Sequence, residues 1–372
     1  MPFEPPVRRS LRSYAPYRAA TPLAEVRARS GVAEPIKLSQ NENPLGSSPR
    51  ALAALRATTD GSRYVEDDHL ALRTRLAERY ALSPENVVLG HGSNELVQLA
   101  FVTFVEPGDE VVMANPTFSL FRKFAEIFAA RAVEVPLREG LHDLAALRAA
   151  VGARTKLVFV CDPNNPTGTR LDPAQFARFA AALPENVLLV VDQAYLEYAG
   201  SDACNGTSLL AAHPASLVLR TASKIFGLAA LRFGYGYADA ATIAWMNRAR
   251  VPYNVSGPTA AAVLAALDDE PFIARSLAQN ARGRELLAGG AAALGLHVYP
   301  SAANFVAVAV PGEADEVFDG LLARGVVVRS GEGLAMPGRL RVSVGTDEQN
   351  AAFLEALAVV LVERAAPVSA AG

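Results

Sequence analysis

The sequence predicts an α/β fold, in which a mostly parallel sheet carries helices on both faces, followed by a smaller α+β domain. Between about residues 46 and 257, short apolar runs alternate with longer helical patterns. This alternation is typical of parallel strands joined by helical crossovers. After Pro258 a long helical stretch is followed by short strands and a final helix, which indicates a second, α+β unit.

The apolar runs place the strands of the larger domain at 86–90, 110–114, 156–161, 187–192, 216–221 and 233–238. Helices are predicted between them, including 94–105 and 173–182. In the smaller domain we expect helices over 274–294 and 348–364, and strands over 297–299, 305–310, 326–329 and 339–344. Prolines interrupt the first 45 residues, which predicts an irregular arm. The predicted division is an N-terminal arm joining the small domain (1–45), a large domain (46–257) and a small C-terminal domain (258–372).

The composition describes a chain that can bury a large core. Of its 372 residues, 51% are hydrophobic, and the formal net charge is −3. Such a balance argues against nucleic acid or an anionic membrane as the partner. The 2 cysteines cannot form a disulfide framework, and no apolar run reaches the roughly 18 residues of a membrane span. The N-terminus also lacks the apolar stretch of a signal peptide. We therefore expect a soluble cytoplasmic protein, and no metal site is predicted.

Three polar residues stand where apolar strands give way to loops. Lys224 follows the strand at 216–221, Asp192 ends the strand at 187–192, and Asn165 follows the strand at 156–161. Because ligands of such sheets bind beyond the carboxyl ends of the strands, one cleft can contain all three. A lysine, an aspartate and an asparagine in this arrangement suit pyridoxal phosphate (PLP). The lysine would form a Schiff base, and the aspartate would pair with the pyridinium nitrogen.

Asp192 ends a strongly apolar run, so its carboxylate is predicted to be buried. A buried carboxylate without a cation is costly, and a protonated pyridine nitrogen supplies that cation. Tyr195, three residues further on, can hydrogen-bond the phenolate oxygen of the ring. The alternative role for Asp192 is the N-cap of a following helix.

Several residues indicate a phosphate site beside the lysine. Ser93 is predicted to cap a helix that opens after a strand, and such helix starts bind phosphate. Thr221 and Ser223 supply hydroxyl groups, and Arg232 supplies a fixed positive charge. Phe118 follows another strand and can stack on a planar ring, although an aromatic residue there is more often part of the core.

At this point the chain resembles the fold type I PLP-dependent aminotransferases of class I/II, and within them the histidinol-phosphate aminotransferase family. The resemblance covers nearly the whole chain. It rests on the motifs Leu38-Ser-Gln-Asn-Glu-Asn-Pro44, Gly90-His-Gly-Ser-Asn-Glu95, Pro163-Asn-Asn-Pro-Thr-Gly168, Asp192-Gln-Ala-Tyr195, Arg220-Thr-Ala-Ser-Lys224, Leu231-Arg-Phe-Gly234 and Leu340-Arg-Val-Ser-Val-Gly-Thr346. It implies a seven-stranded sheet and an obligate homodimer with shared active sites.

The resemblance also implies a role for each matching residue. Lys224 would be the Schiff-base lysine and Asp192 the partner of the ring nitrogen, while Tyr195 and Asn165 would bind the 3-oxygen. The phosphate-binding residues would be Ser93, Asn94, Thr221 or Ser223, Arg232, and Tyr64 from the partner subunit. Phe118 would stack on the ring. The substrate-binding residues would be Tyr17, Asn43, Arg329 and Arg341.

The chain departs from the family pattern at two positions. Gln193 stands where a glutamate is usual, and Val65 stands where a proline is usual. Neither change removes a group that the chemistry requires. Both bear on the choice of substrate more than on the type of reaction.

The resemblance implies transamination, with Lys224 removing the α-proton of the substrate and returning it to the cofactor. Histidinol phosphate is the expected amino donor and 2-oxoglutarate the expected acceptor. Arginines such as Arg329 and Arg341 can bind either a phosphate or a carboxylate. Three alternatives remain open: an aromatic amino acid aminotransferase, a decarboxylase of threonine phosphate, and a non-catalytic PLP-fold ligand sensor.

Overall fold

The structure is a computed structural model, and it describes residues 5–12, 21–58, 60–65 and 68–365. Within these residues the strands are β1 (Ile36–Lys37), β2 (Val87–Gly90), β3 (Glu110–Asn115), β4 (Arg131–Pro136), β5 (Thr155–Cys161), β6 (Leu188–Asp192), β7 (Ser216–Thr221), β8 (Gly234–Ala238), β9 (Phe305–Ala309), β10 (Val326–Val327), β11 (Arg329–Ser330) and β12 (Arg339–Ser343). The α-helices are α1 (Leu23–Ser30), α2 (Pro49–Ala57), α3 (Leu70–Glu78), α4 (Ser93–Phe104), α5 (Leu120–Ile127), α6 (Leu144–Ala149), α7 (Pro173–Ala181), α8 (Gly206–Ala212), α9 (Ala240–Ala249), α10 (Gly257–Leu267), α11 (Glu270–Ala293), α12 (Ala314–Leu322) and α13 (Asp347–Ala365).

Seven strands form the central sheet, in the order β2-β8-β7-β6-β5-β3-β4. All neighbours are parallel except β8, which is antiparallel to β2 and to β7. This confirms the predicted mostly parallel sheet. Since β5, β6 and β7 run in the same direction, the residues that follow them meet at one edge of the sheet.

Helices cover both faces of this sheet, and the apolar residues of β5 pack against the helices on each face. Leu157 and Phe159 pack with the cluster that contains α4, α5 and α9. Val158 and Val160 pack with the cluster on the other face, which contains α2, α3, α7, α8 and α10. Side chains of a strand alternate between faces, so a strand covered on both sides is apolar throughout.

The sequence analysis missed β4, which lies at the edge of the central sheet. Only Val135 in this strand is buried, and Arg131, Glu134 and Pro136 interrupt its apolar character. An edge strand needs no continuous apolar run and tolerates proline and charge.

The C-terminal part contains a three-stranded antiparallel sheet in the order β11-β12-β9. Its core joins residues of α11, α12 and α13 to the inner faces of β9 and β12. The predicted strand at 326–329 is wrong as a single element. Its first half pairs with β1 and its second half with β12. Residues 297–299 form only a bridge between Val298 and Val308.

The N-terminal arm is less irregular than predicted, because it contains α1. Pro22 precedes this helix and Gly31 ends it in the left-handed region, with φ 69°. Val26 packs against Leu322 and Val327 of the C-terminal part, and β1 pairs with β10. Residues 5–12 lie elsewhere, on α5, where the Ser10 hydroxyl donates to the Ile127 carbonyl at 2.9 Å. The boundaries between the three predicted units stay a prediction.

No described helix combines the length and the apolarity needed to cross a membrane.

The aromatic cluster under β5 supports a test of core stability. Phe159 is fully buried and stacks on Phe121 and Phe101, with ring centroids 4.3 and 5.5 Å apart. We expect Phe159→Ala to lower the free energy of unfolding by about 3–5 kcal/mol, because it leaves a cavity in this cluster. Val362→Ala, at a side chain that is 72% exposed, should change it by less than about 0.5 kcal/mol. Urea unfolding of both variants measures the difference, and equal stabilities would contradict the assignment of the core.

Candidate active site

A cavity of about 480 Å³ lies at the carboxyl edge of the central sheet, facing β11 and β12 of the C-terminal sheet. It gathers most of the residues that the sequence singled out. The predicted residues that line it are Ser93, Asn94, Phe118, Asn165, Asp192, Tyr195, Thr221, Ser223, Lys224, Arg232, Arg329 and Arg341. They come from segments that are far apart in the chain, so the fold brings them together.

Asp192 ends β6 and is buried, with 3% of its surface exposed. Burial raises the pKa of its carboxyl to about 6, while the Ala194 N–H and the positive charge of Lys224 act in the opposite direction. The Ala194 N–H donates to Asp192 Oδ1 at 3.1 Å. This contact closes a short turn, so the alternative role as the N-cap of an α-helix does not apply. A buried carboxylate at a cavity wall is stabilised by a cationic ligand.

Lys224 lies just beyond β7, and its Nζ donates to the Gln40 carbonyl at 3.1 Å. Burial, together with the positive charges of Arg341 and Arg232, lowers the pKa of Lys224 to about 8. The carboxylates of Glu42 and Asp192 oppose this shift. This lowered pKa leaves a larger fraction of neutral amine at pH 7 than an ordinary lysine has. A neutral amine is the form that reacts with an aldehyde.

The start of α4 is shaped to accept an anion beside the lysine. The predicted N-cap, Ser93, is instead the first helical residue, and Gly92 is the N-cap with φ 78°. A Cβ on Gly92 would lie 2.5 Å from Arg232 Nη2, so the guanidinium packs directly against the helix start. A Cβ on Gly234 would lie 2.2 Å from Ser93 N. Both glycines thus bring strand β8 and the arginine close to the first amides of α4, where the helix dipole favours an anion.

Two hydroxyl groups face this anion site from the loop after β7. Thr221 Oγ1 lies 3.0 Å from Ser223 Oγ and also accepts from the Ser223 N–H at 3.1 Å. Both side chains are buried at the cavity wall. Because the Thr221 hydroxyl donates to Ser223 Oγ or to the Phe233 carbonyl, 3.1 Å away, the Ser223 hydroxyl is the donor available to a phosphate oxygen.

Asn165 and Arg341 are joined across the cavity. Arg341 Nη1 donates to Asn165 Oδ1 at 2.7 Å, and Nη2 donates to the Ser39 carbonyl at 2.8 Å. Because the oxygen of the Asn165 side chain accepts from Arg341, its Nδ2 group is left to donate into the cavity. Arg329 stands directly opposite Arg341 in the β11–β12 pair. Like charges at opposed positions of a sheet repel each other, so an anion between them is stabilising.

Two aromatic residues complete the wall. Tyr195 is buried, and its hydroxyl accepts from Asn41 Nδ2 at 3.1 Å. Its ring meets Phe305 edge to face at 5.2 Å, and burial holds the pKa of its hydroxyl well above the ordinary value. Phe118 is half-buried and meets Phe121 edge to face at 5.6 Å. This contact leaves Phe118 available as a flat wall.

Two of the predicted residues that the structure describes, Asn43 and Tyr64, do not line the cavity. The Asn43 amide donates to the Ile225 carbonyl and to Ser276 Oγ, both at 3.0 Å, and it supports the turn after Lys224. Its role at the substrate stays a prediction. Tyr64 is 77% exposed and stacks on Tyr253 at 4.6 Å. Its role in a partner subunit stays a prediction. Tyr17 lies outside the described residues.

Sequence reasoning missed the segment just before Asn43. Gln40, Asn41 and Glu42 all line the cavity. They lie in an irregular stretch that has no strand or helix period, so nothing in the pattern shows which side chain turns inward. The available signals were the polar run itself and its place in the family motif from Leu38 to Pro44. Cys161, at the end of β5, also lines the cavity as a buried free thiol.

Gln193, which departs from the family pattern, is held by a hydrogen bond to the backbone. It is buried, and its Nε2 donates to the Cys204 carbonyl at 2.8 Å. The nearby buried Arg220 pairs with Glu197. The departure at Gln193 therefore leaves the ion pair of Arg220 in place.

Comparison with known proteins agrees with this geometry. A family model described as aminotransferase class I and II matches residues 33–357. Histidinol-phosphate aminotransferase of Moorella thermoacetica is 41% identical over 360 residues, which are 96% of this chain and 93% of that protein. Histidinol-phosphate aminotransferase 2 of Pseudomonas fluorescens is 42% identical over 352 residues, which are 93% and 95% of the two chains.

Solved structures show the same fold. Histidinol-phosphate aminotransferase of Sinorhizobium meliloti, solved in complex with pyridoxal-5'-phosphate, superposes with a TM-score of 0.88 at 29% identity, covering 98% of this chain and all of that one (100%). A double mutant of Thermus thermophilus aspartate aminotransferase superposes with a TM-score of 0.84 at 25% identity, covering 96% and 100% of the two chains. The predicted fold type I is thereby confirmed. The chain belongs to the class I and II aminotransferases and, within them, to the histidinol-phosphate aminotransferase family.

Proposed function

We propose that this protein is a PLP-dependent aminotransferase that transfers an amino group from histidinol phosphate to 2-oxoglutarate, as a step of histidine biosynthesis. The observation that carries the proposal is that Lys224 and Asp192 line one cavity and that the charge of each shifts the pKa of the other. An amine of lowered pKa can bond to the aldehyde of PLP. A buried carboxylate can keep the pyridine nitrogen protonated.

The polar groups of the cavity fit the rest of PLP. The phosphate fits the start of α4, where Gly92 and Gly234 bring Arg232 and the first helical amides together. The 3-oxygen of the ring fits the two donors described above, the Asn165 amide and the Tyr195 hydroxyl. The residues proposed to hold the cofactor are Ser93, Asn94, Phe118, Asn165, Asp192, Tyr195, Thr221, Ser223, Lys224 and Arg232.

When bound, PLP draws electrons from the substrate carbon that carries the amino group and makes the proton on that carbon acidic. Lys224 Nζ is the group in the cavity that can move this proton. Its pKa near 8 means that it can accept a proton near neutral pH and release it again, because general acid–base catalysis is most efficient when the pKa lies close to the working pH. Asp192 stays in place and keeps its charge beside the ring nitrogen.

Substrate recognition is proposed to rest on Arg329 and Arg341. Their guanidinium groups face the same cavity from opposed positions of β11 and β12. Guanidinium binds both phosphate and carboxylate with two parallel hydrogen bonds. The pair can therefore hold the phosphate of histidinol phosphate in one half-reaction and a carboxylate of 2-oxoglutarate in the other. The names of the relatives favour histidinol phosphate as the donor.

We also propose a homodimer in which Tyr64 completes the cofactor site of the partner subunit. Tyr64 does not line the cavity of its own chain. Together with Tyr253 and Val251 it leaves an exposed apolar group, with exposures of 77%, 58% and 64%. Large exposed apolar patches mark interaction surfaces, and aromatic residues are enriched there.

The remaining proposals concern organisation and location. We propose that the arm (1–45), the large domain (46–257) and the small domain (258–372) act as separate units around the cavity, with Tyr17 of the arm reaching the substrate. A cytoplasmic location fits Cys161 and Cys204, which are both free thiols and buried.

The lowered pKa of Lys224 can be tested on cofactor-free protein. Reductive trapping of a small aldehyde at Lys224 should rise with pH around a midpoint near 8, because only the neutral amine reacts. In Arg341→Gln the midpoint should move upward, since a positive charge that disfavours the protonated amine is gone. Peptide mass spectrometry measures the labelling of Lys224 at each pH. A midpoint near the ordinary lysine value of about 10.4 would contradict the assignment.

The reaction is tested by comparing amino donors with 2-oxoglutarate as acceptor. We expect kcat/KM for histidinol phosphate to exceed that for phenylalanine and tyrosine by at least about tenfold, a difference that polar recognition in a pocket readily supplies. Lys224→Ala should abolish turnover with every donor. Higher values for either aromatic amino acid would assign the protein to aromatic transamination, and release of carbon dioxide without an oxo acid would assign it to decarboxylation.

The shared site is tested by mixing inactive variants. Tyr64→Ala and Lys224→Ala should each be impaired alone. After the subunits are mixed and exchanged, about half of the dimers carry both changes, and each of these has one intact site, so activity should return to about a quarter of the wild-type value. Steady-state rates before and after exchange measure this. Absence of any recovery, with exchange shown by mass spectrometry, would place Tyr64 outside the partner's site.

A further inference from the structure

Asn41 is buried and fully hydrogen-bonded, although sequence reasoning assigned it no role. It lies in the left-handed region, with φ 54°, and only 2% of its surface is exposed. Its backbone N–H donates to Ser343 Oγ at 2.8 Å, and its carbonyl accepts from Asn304 Nδ2 at 2.9 Å. Its side chain bonds Ser343 at one end and Tyr195 at the other.

These contacts fix which way the side-chain amide of Asn41 points. Ser343 Oγ already accepts from the Asn41 N–H, so the Ser343 hydroxyl proton is available to donate to Asn41 Oδ1, 3.0 Å away. The oxygen of the amide therefore faces Ser343, and its nitrogen faces Tyr195. The opposite orientation would place an NH₂ group against a hydroxyl that needs an acceptor.

The orientation of the amide determines where the Tyr195 proton goes. Asn41 Nδ2 carries only donors, so the Tyr195 oxygen must accept in this 3.1 Å contact. The phenolic proton then points elsewhere, and Tyr195 lines the cavity. Burial holds the pKa of this hydroxyl well above the ordinary value, so the proton stays on Tyr195 near neutral pH.

We propose that Asn41 is a positioning residue that directs the hydroxyl proton of Tyr195 into the cavity, toward the 3-oxygen of PLP. The inference rests on the proposed function, because it concerns how the cofactor is held. Ser343 has a supporting part, since it sets the direction of the amide. A residue with an acceptor in place of Nδ2 would take the hydrogen bond of the Tyr195 hydroxyl proton. The Tyr195 oxygen would then face the 3-oxygen of PLP with no proton between them.

The test uses Asn41→Asp, which keeps the shape of the side chain and a residue type that tolerates the left-handed region. Its carboxylate can only accept, so the Tyr195 proton turns away from the cavity. We expect PLP to bind about tenfold more weakly to the cofactor-free variant, the effect of one lost hydrogen bond to a charged group. The pH midpoint at which the visible absorbance of bound PLP changes should also move. Unchanged affinity together with an unchanged midpoint would overturn the proposal.

A double-mutant cycle separates this role from a merely structural one. If Asn41 acts through the Tyr195 hydroxyl, Asn41→Asp should weaken PLP binding in wild type but have little further effect in Tyr195→Phe. Additive losses of PLP affinity would mean that Asn41 only supports the local fold, and would contradict the inference. Should Asn41→Asp not fold, Ser343→Ala takes its place. It frees the amide to rotate and should weaken PLP binding with the same dependence on Tyr195, and an additive loss would again count against the proposal.

Failure of the proposed function gives a different result. If PLP did not occupy this cavity, Tyr195→Phe and Lys224→Ala would both leave PLP affinity and the visible spectrum unchanged. If it does occupy the cavity, those two variants respond whether or not Asn41 matters.

Discussion

The packing of two opposite charges, the half-buried Lys224 and the buried Asp192, at the ends of neighbouring strands is the constraint on which the site depends. The parallel pairing of β6 and β7 sets Asp192 opposite Leu219, so the lysine that follows β7 emerges beside the carboxylate. Each group is costly to bury as an ion. Their pKa values move toward each other, to about 6 and about 8, and this brings both within reach of neutral pH.

The segment from Ser39 to Asn43 holds this arrangement in place from outside the central sheet. The Ser39 carbonyl accepts from Arg341, Asn41 contacts Tyr195, and Asn43 bonds the backbone after Lys224. One short irregular stretch therefore contacts Arg341, Tyr195 and the turn after Lys224. A shift of this stretch would displace all three contacted groups at once, because buried polar networks tolerate little displacement.

The parts of the fold and the site that the sequence predicted are those with a strong local pattern. The central strands are apolar on both faces, and Asp192, Asn165 and Lys224 stand where these apolar runs stop. The sequence therefore predicted both the central strands and these three site residues. The sequence did not predict the edge strand β4, because a strand with an exposed face lacks a continuous apolar run. Within the polar run after β1 only tertiary contacts decide which side chain turns inward, and for this reason the sequence did not single out Asn41, which lines the cavity. Arg329 and Arg341 came from family resemblance alone, since nothing local distinguishes them from surface arginines.

The opposed arginines of β11 and β12 have a consequence for how the protein responds to its solution. Two arginines at one register position both line the cavity, and a small oxyanion bound between them would pair with both positive charges. Phosphate and sulfate in a buffer should thus act as competitors for the amino donor and, at the same time, as protective additives against heat. The choice of buffer salt then sets both the apparent affinity and the apparent melting point of the same preparation.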